Sequence, residues 1–171
     1  MQLNDFIKHA RDNYVFMSGV HRDGKRVKAT AECFTPTPLV QEILEKIPLE
    51  QFQDPNKTFL DPTCGDGQFL SEVIIKKMEN GSTHEQALKT TYGADLMLDN
   101  CLECIKRLYA VKDAEITTIK GAKIPKDWKR TGVKAIFKVN NQITNIVCAD
   151  GLQYDFSFGE KETFGNGLFE F

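Results

Sequence analysis

The feature that most constrains the fold is a short apolar run that leads into a glycine-containing turn and then into an amphipathic helix. Residues 58–60 (TFL) precede the turn 61–67 (DPTCGDG), and apolar side chains then recur at helical spacing from Phe69 to Met78. Gly65 and Gly67 allow a sharp reversal of the chain and let the backbone lie close to a ligand. The pattern predicts a strand, a turn and a helix, which is the repeating unit of an α/β fold.

Two further apolar runs also end in an acidic residue. Residues 92–94 are followed by Asp95 and residues 143–149 by Asp150, so three predicted strands end in an acid, the first of them in Asp61. Helical patterns separate these strands, which predicts an α/β fold with a parallel sheet. Ligands of such sheets bind outside the carboxyl ends of the strands. We therefore expect the three acids to accept hydrogen bonds from a ligand, although each acid taken alone also fits a turn cap.

Local signals place the other elements. A helix is predicted over residues 4–17, and another begins at Thr37, which can cap it, with Pro38 in its first turn. Ser82 and Glu85 have the spacing of a capping box for a short helix. Residues 133–139 and 143–149 read as strands joined by a turn at Asn140-Asn141, whereas residues 112–134 are interpreted as an exposed loop or hairpin.

Length and composition indicate one domain over residues 1–171. We divide it into an N-terminal segment (1–36), a core (37–155) and a phenylalanine-rich tail (156–171). The formal net charge of −2 argues against a protein that is polybasic as a whole. The sequence contains neither an apolar run of about 18 residues, as a membrane span requires, nor an export signal. We expect a cytoplasmic protein that does not contact membranes.

Basic residues nevertheless cluster around the single tryptophan, Trp128. They are Lys120, Lys123, Lys126, Lys129, Arg130 and Lys134. This cluster is a candidate DNA-facing surface. The basic residues between Arg22 and Lys28 fit a solvated loop better, although contact with phosphate is the alternative.

The five cysteines are odd in number and scattered, so free thiols are expected. Cys101 and Cys104 have the CxxC spacing, but no second CxxC or histidine pair accompanies them. No metal site is predicted, with zinc or redox use of this pair as the minor alternative.

The turn itself narrows the class of ligand. The third glycine of a dinucleotide fingerprint would fall at Leu70, and no GxxxxGK[ST] sequence is present. Acids at the strand ends suit a ligand whose hydroxyl and amino groups donate hydrogen bonds, rather than one with a pyrophosphate. An adenosine ligand with an amino-acid arm fits this pattern.

Four sequence elements together resemble the class I S-adenosylmethionine-dependent methyltransferases. They are residues 34–36 (FTP), 61–70 (DPTCGDGQFL), 93–95 (GAD) and 148–151 (CADG). Their order is similar to that of the amino-group DNA adenine-N6 methyltransferases of the gamma arrangement, and short methyltransferase-like proteins of tailed phages look similar. The resemblance covers roughly residues 30–155. It implies a Rossmann-like fold, S-adenosylmethionine as cofactor and a bacterial or phage-infected host cell as the setting.

The resemblance also implies roles for individual residues. The Phe-Thr-Pro element and the glycine turn would enclose the methionine part of the cofactor, Asp95 would hold the ribose hydroxyls, and Asp150 would face the adenine amino group. The residues implied to bind the cofactor are Phe34, Thr35, Pro36, Asp61, Cys64, Gly65, Gly67, Phe69, Asp95, Leu96, Asp150 and Gly151.

The sequence departs from the family at the catalytic element. These enzymes hold the target base with an Asn/Asp-Pro-Pro-Tyr/Phe segment, whereas this sequence contains no Pro-Pro. Asn166 and Phe169 have the matching residue types and separation, and they are the catalytic candidates. The residues before them, 161–163, are polar where an apolar strand is expected. The sheet is therefore expected to be truncated after its third or fourth strand.

Three hypotheses follow from this departure. The chain is a methyltransferase, completed where necessary by a partner subunit, or a non-catalytic module that binds S-adenosylmethionine, or a scaffold without a ligand. A truncated sheet exposes an edge, which proteins normally cover. We therefore expect self-association or a partner protein at the C-terminal side, where phenylalanines cluster. These are Phe156, Phe158, Phe164, Phe169 and Phe171.

Overall fold

The computed structural model describes residues 1–12 and 35–156. Its helices are α1 (Leu3–Ile7), which continues as a π-helical turn (Lys8–Asp12), α2 (Thr37–Glu45), α3 (Glu50–Gln53), α4 (Gln68–Glu79), α5 (His84–Lys89), α6 (Leu98–Tyr109) and α7 (Lys126–Lys129). Its strands are β1 (Phe59–Asp61), β2 (Thr91–Asp95), β3 (Ile116–Lys120), β4 (Val133–Val139) and β5 (Gln142–Ala149). Short 3₁₀ turns lie at Asp113–Glu115 and Gly121–Lys123.

The strands form one mixed sheet in the order β1-β2-β5-β4-β3. β1, β2 and β5 are parallel to one another, while β4 is antiparallel to both β5 and β3. The α/β class is confirmed, but the prediction of a parallel sheet holds for three strands only. The reason is the turn at Asn140 and Asn141, where φ angles of 50° and 63° reverse the chain as a two-residue hairpin.

The number of strands also differs from the expectation. The described residues already supply five strands, whereas a sheet of three or four was predicted. The additional strand, β3, lies in the region that was interpreted as a loop or hairpin. Its sequence, ITTIK, is rich in β-branched residues, which favour strands.

The helices α4 and α6 cover one face of the sheet. Leu70 and Ile74 of α4 and Ile105 of α6 pack with Phe137 and Ile146 of the strands in the largest apolar cluster. Side chains alternate between the faces of a strand, so the neighbours of these strand residues point to the opposite face. A smaller cluster lies there, formed by Ala94, Ile124, Val133, Ile136, Val147, Ala149 and Tyr154.

Two predicted helix caps are displaced. The capping box of α5 is formed by Thr83 and Gln86, one residue after the predicted pair, with both reciprocal hydrogen bonds present. The N-cap of α2 is Pro36, and the hydroxyl of Thr37 accepts a hydrogen bond from the side chain of Gln68. Thr37 therefore connects α2 to the start of α4 and does not cap its own helix.

A buried carboxylate connects the N-terminal residues to the core. The guanidinium of Arg11 donates two hydrogen bonds to Glu72, at 2.8 and 2.6 Å, and Gln41 donates a third at 3.0 Å. Because Glu72 belongs to α4, this contact holds the first segment and α2 against the same helix. The predicted helix over residues 4–17 is confirmed as helical structure up to residue 12, and its remainder lies outside the described residues.

No helix within residues 1–12 and 35–156 has both the length and the apolar character that a membrane crossing requires.

Candidate functional site

A cavity of about 920 Å³ lies at the carboxyl ends of β1, β2 and β5. Volumes of this size accommodate small-molecule ligands. The structure places Thr35, Asp61, Cys64, Gly65, Phe69, Asp95, Leu96, Asp150 and Gly151 in its lining. All nine belong to the residues predicted to bind the cofactor.

The sheet order explains why the three acids meet. Asp61 of β1 pairs with Gly93 of β2, and Asp95 of β2 pairs with Cys148 of β5. The three parallel strands are neighbours, so their carboxyl ends open onto one edge. Residues far apart in the sequence therefore line one cavity, as the strand-end pattern predicted.

Asp95 organises the glycine turn. Its Oδ2 accepts the backbone N–H of Gly65 at 3.0 Å, while its Oδ1 accepts the N–H of Met97 at 2.8 Å and the side-chain amide of Asn100 at 3.1 Å. The carboxylate thus links the turn after β1 to the first turn of α6.

Asp61 lies in the same cavity and is electrostatically coupled to Asp95. Burial raises the pKa of the Asp61 carboxyl above its ordinary value, and the charge of Asp95 adds to this rise. A hydrogen bond of 3.0 Å from the backbone N–H of Thr63 opposes it. A positive charge in this cavity would relieve the repulsion between the two acids.

The third acid begins a tight turn at the end of β5. Oδ1 of Asp150 accepts the N–H of Leu152 at 3.0 Å. The following residue, Gly151, packs so closely on the turn after β1 that a methyl group there would overlap the carbonyl oxygen of Pro62. The glycine at this position is required by the close approach of the two loops.

Three of the twelve predicted cofactor residues are not placed in the lining. Pro36 caps α2, and Phe34 lies outside the described residues. Gly67 has a φ of +81°, and a Cβ on it would come within 2.8 Å of the sulfur of Cys104. Its role in the structure is therefore the close packing of the turn on α6.

Sequence reasoning missed several lining residues. They are Leu60, Pro62, Thr63, Asp66, Gln68, Met97, Asn100 and Leu152. Most are direct neighbours of predicted residues, so widening each motif by one or two positions would have included them. Asn100 is the exception, because it reaches the site from the first turn of α6, at a helical spacing after Asp95.

A buried polar network lies behind the turn. The guanidinium of Arg107 in α6 is fully buried and pairs with Asp66 at 3.3 Å. The same guanidinium donates to Oε1 of Gln68 at 2.7 Å, and Nε2 of Gln68 donates to the hydroxyl of Thr37. The network therefore connects α6, the glycine turn and the start of α2.

The described cysteines are buried free thiols. Cys101 donates to the backbone carbonyls of Val147, at 3.4 Å, and Asp95, at 3.6 Å. The hydrogen bond with Cys104, together with burial, raises the pKa of the Cys64 thiol. Within the part of the chain that the structure describes, no group of three or more potential metal ligands occurs. The fifth cysteine, Cys33, lies outside that part.

The basic residues around Trp128 lie at the same edge of the sheet as the cavity. β3 runs in the direction of β5, so Lys120 comes at its carboxyl end. Val133 pairs with Ala149, directly before Asp150, which places the start of β4 at the cavity edge. The charged residues of this set are exposed, whereas Trp128 is half-buried against the smaller apolar cluster.

The catalytic candidates Asn166 and Phe169 lie outside the described residues, as do the basic residues between Arg22 and Lys28. Of the phenylalanines predicted to meet a partner, Phe156 is described. Its ring packs edge-on against Tyr154, with 5.0 Å between the ring centroids.

The electrostatic character of the cavity defines what it can bind. Its described lining includes the four acids Asp61, Asp66, Asp95 and Asp150, but no lysine, arginine or histidine. Asp66 is neutralised by Arg107, so three acids face the cavity without a cation among the described lining residues. Such a site favours ligands that carry positive charge and hydrogen-bond donors, and it disfavours phosphates.

Comparison of the chain with protein-family models, with curated proteins and with solved structures finds no match.

Proposed function

We propose that the chain binds S-adenosylmethionine in the cavity at the carboxyl ends of β1, β2 and β5, as a methyltransferase-like protein of the DNA adenine-N6 type. The observation that carries this proposal is the acidic lining without lysine, arginine or histidine among the described residues. S-adenosylmethionine has a sulfonium and an ammonium group, ribose hydroxyls and an adenine amino group. Each of these groups can be attracted to or donate a hydrogen bond to a carboxylate of the protein, whereas a phosphate group on the ligand would be repelled by it.

The arrangement of the acids suggests how the ligand would lie. Asp95, at the centre of the three strands, would accept the ribose hydroxyls, and Asp150 would face the adenine amino group. Asp61, at the start of the turn after β1, and Thr35, which precedes α2, would enclose the amino-acid arm. Leu96 and Leu152 also line the cavity and would supply apolar surface beside the adenine.

The chemistry supplied by S-adenosylmethionine, when bound, is an electrophilic methyl group on a sulfonium sulfur. The protein would contribute orientation and the exclusion of water from the reacting groups. Asn166 and Phe169 remain the catalytic candidates, because an amide can accept a hydrogen bond from an exocyclic amine and an aromatic ring can stack on a base.

DNA is the acceptor that the basic residues around Trp128 support. Between residues 120 and 134 the only acid is Asp127, although the whole chain carries a net charge of −2. Phosphates bound along this segment would lie beside the Asp150 end of the cavity. Exposed lysines and arginines are the usual partners of a nucleic-acid backbone.

A second candidate function is a non-catalytic module that binds S-adenosylmethionine, to sequester it or to regulate a partner. The absence of Pro-Pro from the sequence favours it, since glycine and leucine at positions 167 and 168 leave the backbone of the candidate catalytic segment less restrained.

Calorimetric titration tests the binding site. We expect saturable binding of S-adenosylmethionine, weaker binding of S-adenosylhomocysteine, whose thioether lacks the sulfonium charge, and no binding of ADP, whose phosphates the acids would repel. Failure of S-adenosylmethionine to bind would overturn the proposal and favour a scaffold without a ligand.

Transfer of a labelled methyl group to DNA separates the two functions. Incorporation by the wild-type protein that is lost in Asn166→Ala supports the enzyme with the predicted catalytic residue. Incorporation that survives this substitution supports the enzyme and refutes that role for Asn166. Tight binding without transfer, alone or with candidate partners, supports the non-catalytic module.

A further inference from the structure

The cavity has two walls that are held in different ways. Asp95 is the last residue of β2 and Asp150 directly follows β5, so the sheet fixes the positions of both acids. The wall at Thr35 precedes α2, whose N-cap Pro36 makes no side-chain capping hydrogen bond. Contacts beyond α2 itself must therefore set the position of this wall.

The side chain of Gln68 supplies such a contact. Its Nε2 donates to the hydroxyl of Thr37, two residues after Thr35. Gln68 is the first residue of α4 and also lines the cavity. One carboxamide therefore connects the glycine turn to the segment that carries Thr35.

Arg107 determines the orientation of that carboxamide. A guanidinium can only donate hydrogen bonds, so Oε1 of Gln68 must face it, as the distance of 2.7 Å to Nη1 shows. The amide nitrogen is thereby turned toward Thr37, whose oxygen must accept. A flipped amide would set two donors against each other at Arg107.

The guanidinium is itself held in place. It is fully buried, and its charge is compensated by Asp66, of which 1% is exposed, through contacts of 3.3 and 3.4 Å. Because Arg107 lies in the last turn of α6, its position is fixed by the helix that packs under the sheet. Its contacts with Asp66 and Gln68 hold the glycine turn in place relative to α6, and Gln68 in turn holds the start of α2.

We propose that Arg107 is a positioning residue, which acts through Gln68 and Thr37 to set the wall of the cavity at Thr35. This inference rests on the proposed function, in which that wall encloses the amino-acid arm of S-adenosylmethionine. Its consequence is selectivity: the network strengthens the binding of ligands that carry the arm and leaves adenosine thioethers without the arm unaffected.

The test compares two ligands on matched variants at position 37. Calorimetry gives the Kd of S-adenosylmethionine and of 5′-methylthioadenosine, which lacks the amino-acid arm, for the wild type, Thr37→Val and Thr37→Ser. We expect Thr37→Val to weaken S-adenosylmethionine about fivefold, as for one neutral hydrogen bond, with methylthioadenosine unchanged. Thr37→Ser keeps the acceptor oxygen and should restore the wild-type affinity.

Arg107→Lys provides a second variant. Lysine keeps a positive charge beside Asp66. Its ammonium lies on a shorter side chain and is a single point of charge, so it does not reproduce the planar guanidinium contacts to both Asp66 and Gln68. We expect the same selective loss of affinity for S-adenosylmethionine. Should this variant fail to fold, the substitutions at the partly exposed Thr37 still test the last contact of the network, without which Arg107 cannot act on the wall at Thr35.

The outcomes separate the two proposals. Equal weakening of both ligands by Thr37→Val, or no weakening of either, would overturn the positioning role while the binding site stands. A wild-type protein that binds no S-adenosylmethionine would overturn the proposed function and this inference together. Thermal unfolding of each variant without ligand shows whether an affinity change reflects loss of the fold.

Discussion

The carboxylate of Asp95 accepts the backbone N–H of Gly65 at 3.0 Å, across 30 residues of sequence. This hydrogen bond ties the turn after β1 to the end of β2, so a carboxylate that lines the cavity also shapes it. Both of its oxygens accept hydrogen bonds from the protein, so a substitution of Asp95 changes the turn and the lining of the cavity together.

Substitution of Asp95 should weaken ligand binding in two ways. Asp95→Ala removes both oxygens, and we expect the Kd of S-adenosylmethionine to rise more than tenfold, which corresponds to about 1.4 kcal/mol. Asp95→Asn keeps only one acceptor oxygen. Either the N–H of Gly65 or the donors of Met97 and Asn100 then lose their acceptor. Calorimetry measures both variants.

Asp150→Asn is the matched control, because it replaces a carboxylate of the cavity without removing the hydrogen bond of the turn after β5. Asp150 has one backbone donor at one oxygen, from Leu152, which an asparagine can still accept. Its turn should therefore persist.

An unchanged Kd in Asp95→Ala would contradict the placement of the ribose at Asp95.

The affinity for a cationic ligand should depend on the ionisation of Asp61. Its pKa lies above the ordinary value of 3.8, mainly because of burial and further because of Asp95. A bound cation favours the carboxylate, so affinity should increase as pH rises through this raised pKa. Titration of S-adenosylmethionine at a series of acidic pH values, beside 5′-methylthioadenosine, which has neither the sulfonium nor the amino-acid arm, measures the effect.

Asp61→Asn should flatten that pH dependence. The amide oxygen can still accept from Thr63, but position 61 no longer ionises. The same pH slope for the charged and uncharged ligands in the wild type would contradict the interpretation. For the unliganded protein the sign is opposite: the stability contributed by Asp61 is greatest at low pH and decreases as pH rises through its raised pKa.

Gly93 should tolerate no side chain. A Cβ at this position would lie 2.8 Å from Leu70 and 2.9 Å from both Cys64 and Ile146. Gly93→Ala should therefore lower the free energy of unfolding by about 1–3 kcal/mol, the usual cost of overpacking. Denaturant unfolding, followed by circular dichroism, measures the change.

Gly121→Ala separates crowding from backbone strain. Gly121 has a φ of +60° but no atom within 4 Å of a Cβ, so it reports the cost of the left-handed conformation alone, about 1 kcal/mol. A smaller loss of stability in Gly93→Ala than in Gly121→Ala would contradict the packing described between β2 and α4.

His84 should make stability dependent on pH. Burial lowers the pKa of its imidazole, although the hydrogen bond of 2.9 Å to the carbonyl of Leu108 opposes this. Below the ordinary value of 6.5 the unfolded chain takes up a proton that the folded chain does not. The stability contributed by His84 is therefore complete above pH 6.5 and decreases as pH falls through its lowered pKa.

His84→Gln removes this titration. Its free energy of unfolding should show a shallower slope between pH 5 and 7 than that of the wild type, measured by urea unfolding at fixed ionic strength. An identical slope in the two proteins would assign the pH dependence to other groups.

The sequence predicted the cavity better than the sheet. Asp61, Asp95 and Asp150 are predictable because each lies at the carboxyl end of its own strand, and adjacent parallel strands bring such residues to one edge. Placing β3 required recognition of ITTIK as an edge strand, and the direction of β4 depended on the turn at 140–141. Neither follows from the alternation of helices and strands alone.

The buried network was beyond prediction from local patterns. Arg107 lies on α6 among residues whose spacing indicates only an amphipathic helix, and Gln68 reads as an ordinary first-turn residue. Their contact spans 39 residues, and nothing in either local sequence indicates the other. Polar groups that meet only through tertiary packing leave no periodic signal.

The hairpin turn at Asn140 and Asn141 has a practical consequence. β5 extends from this turn to Asp150, so the turn and the cavity lie at opposite ends of a strand about 25 Å long. Both asparagines are exposed and already adopt the left-handed conformation that glycine prefers. An affinity tag or a fluorescent reporter inserted between them would immobilise or label the protein from the side opposite the cavity, leaving the mouth open to ligands during measurement.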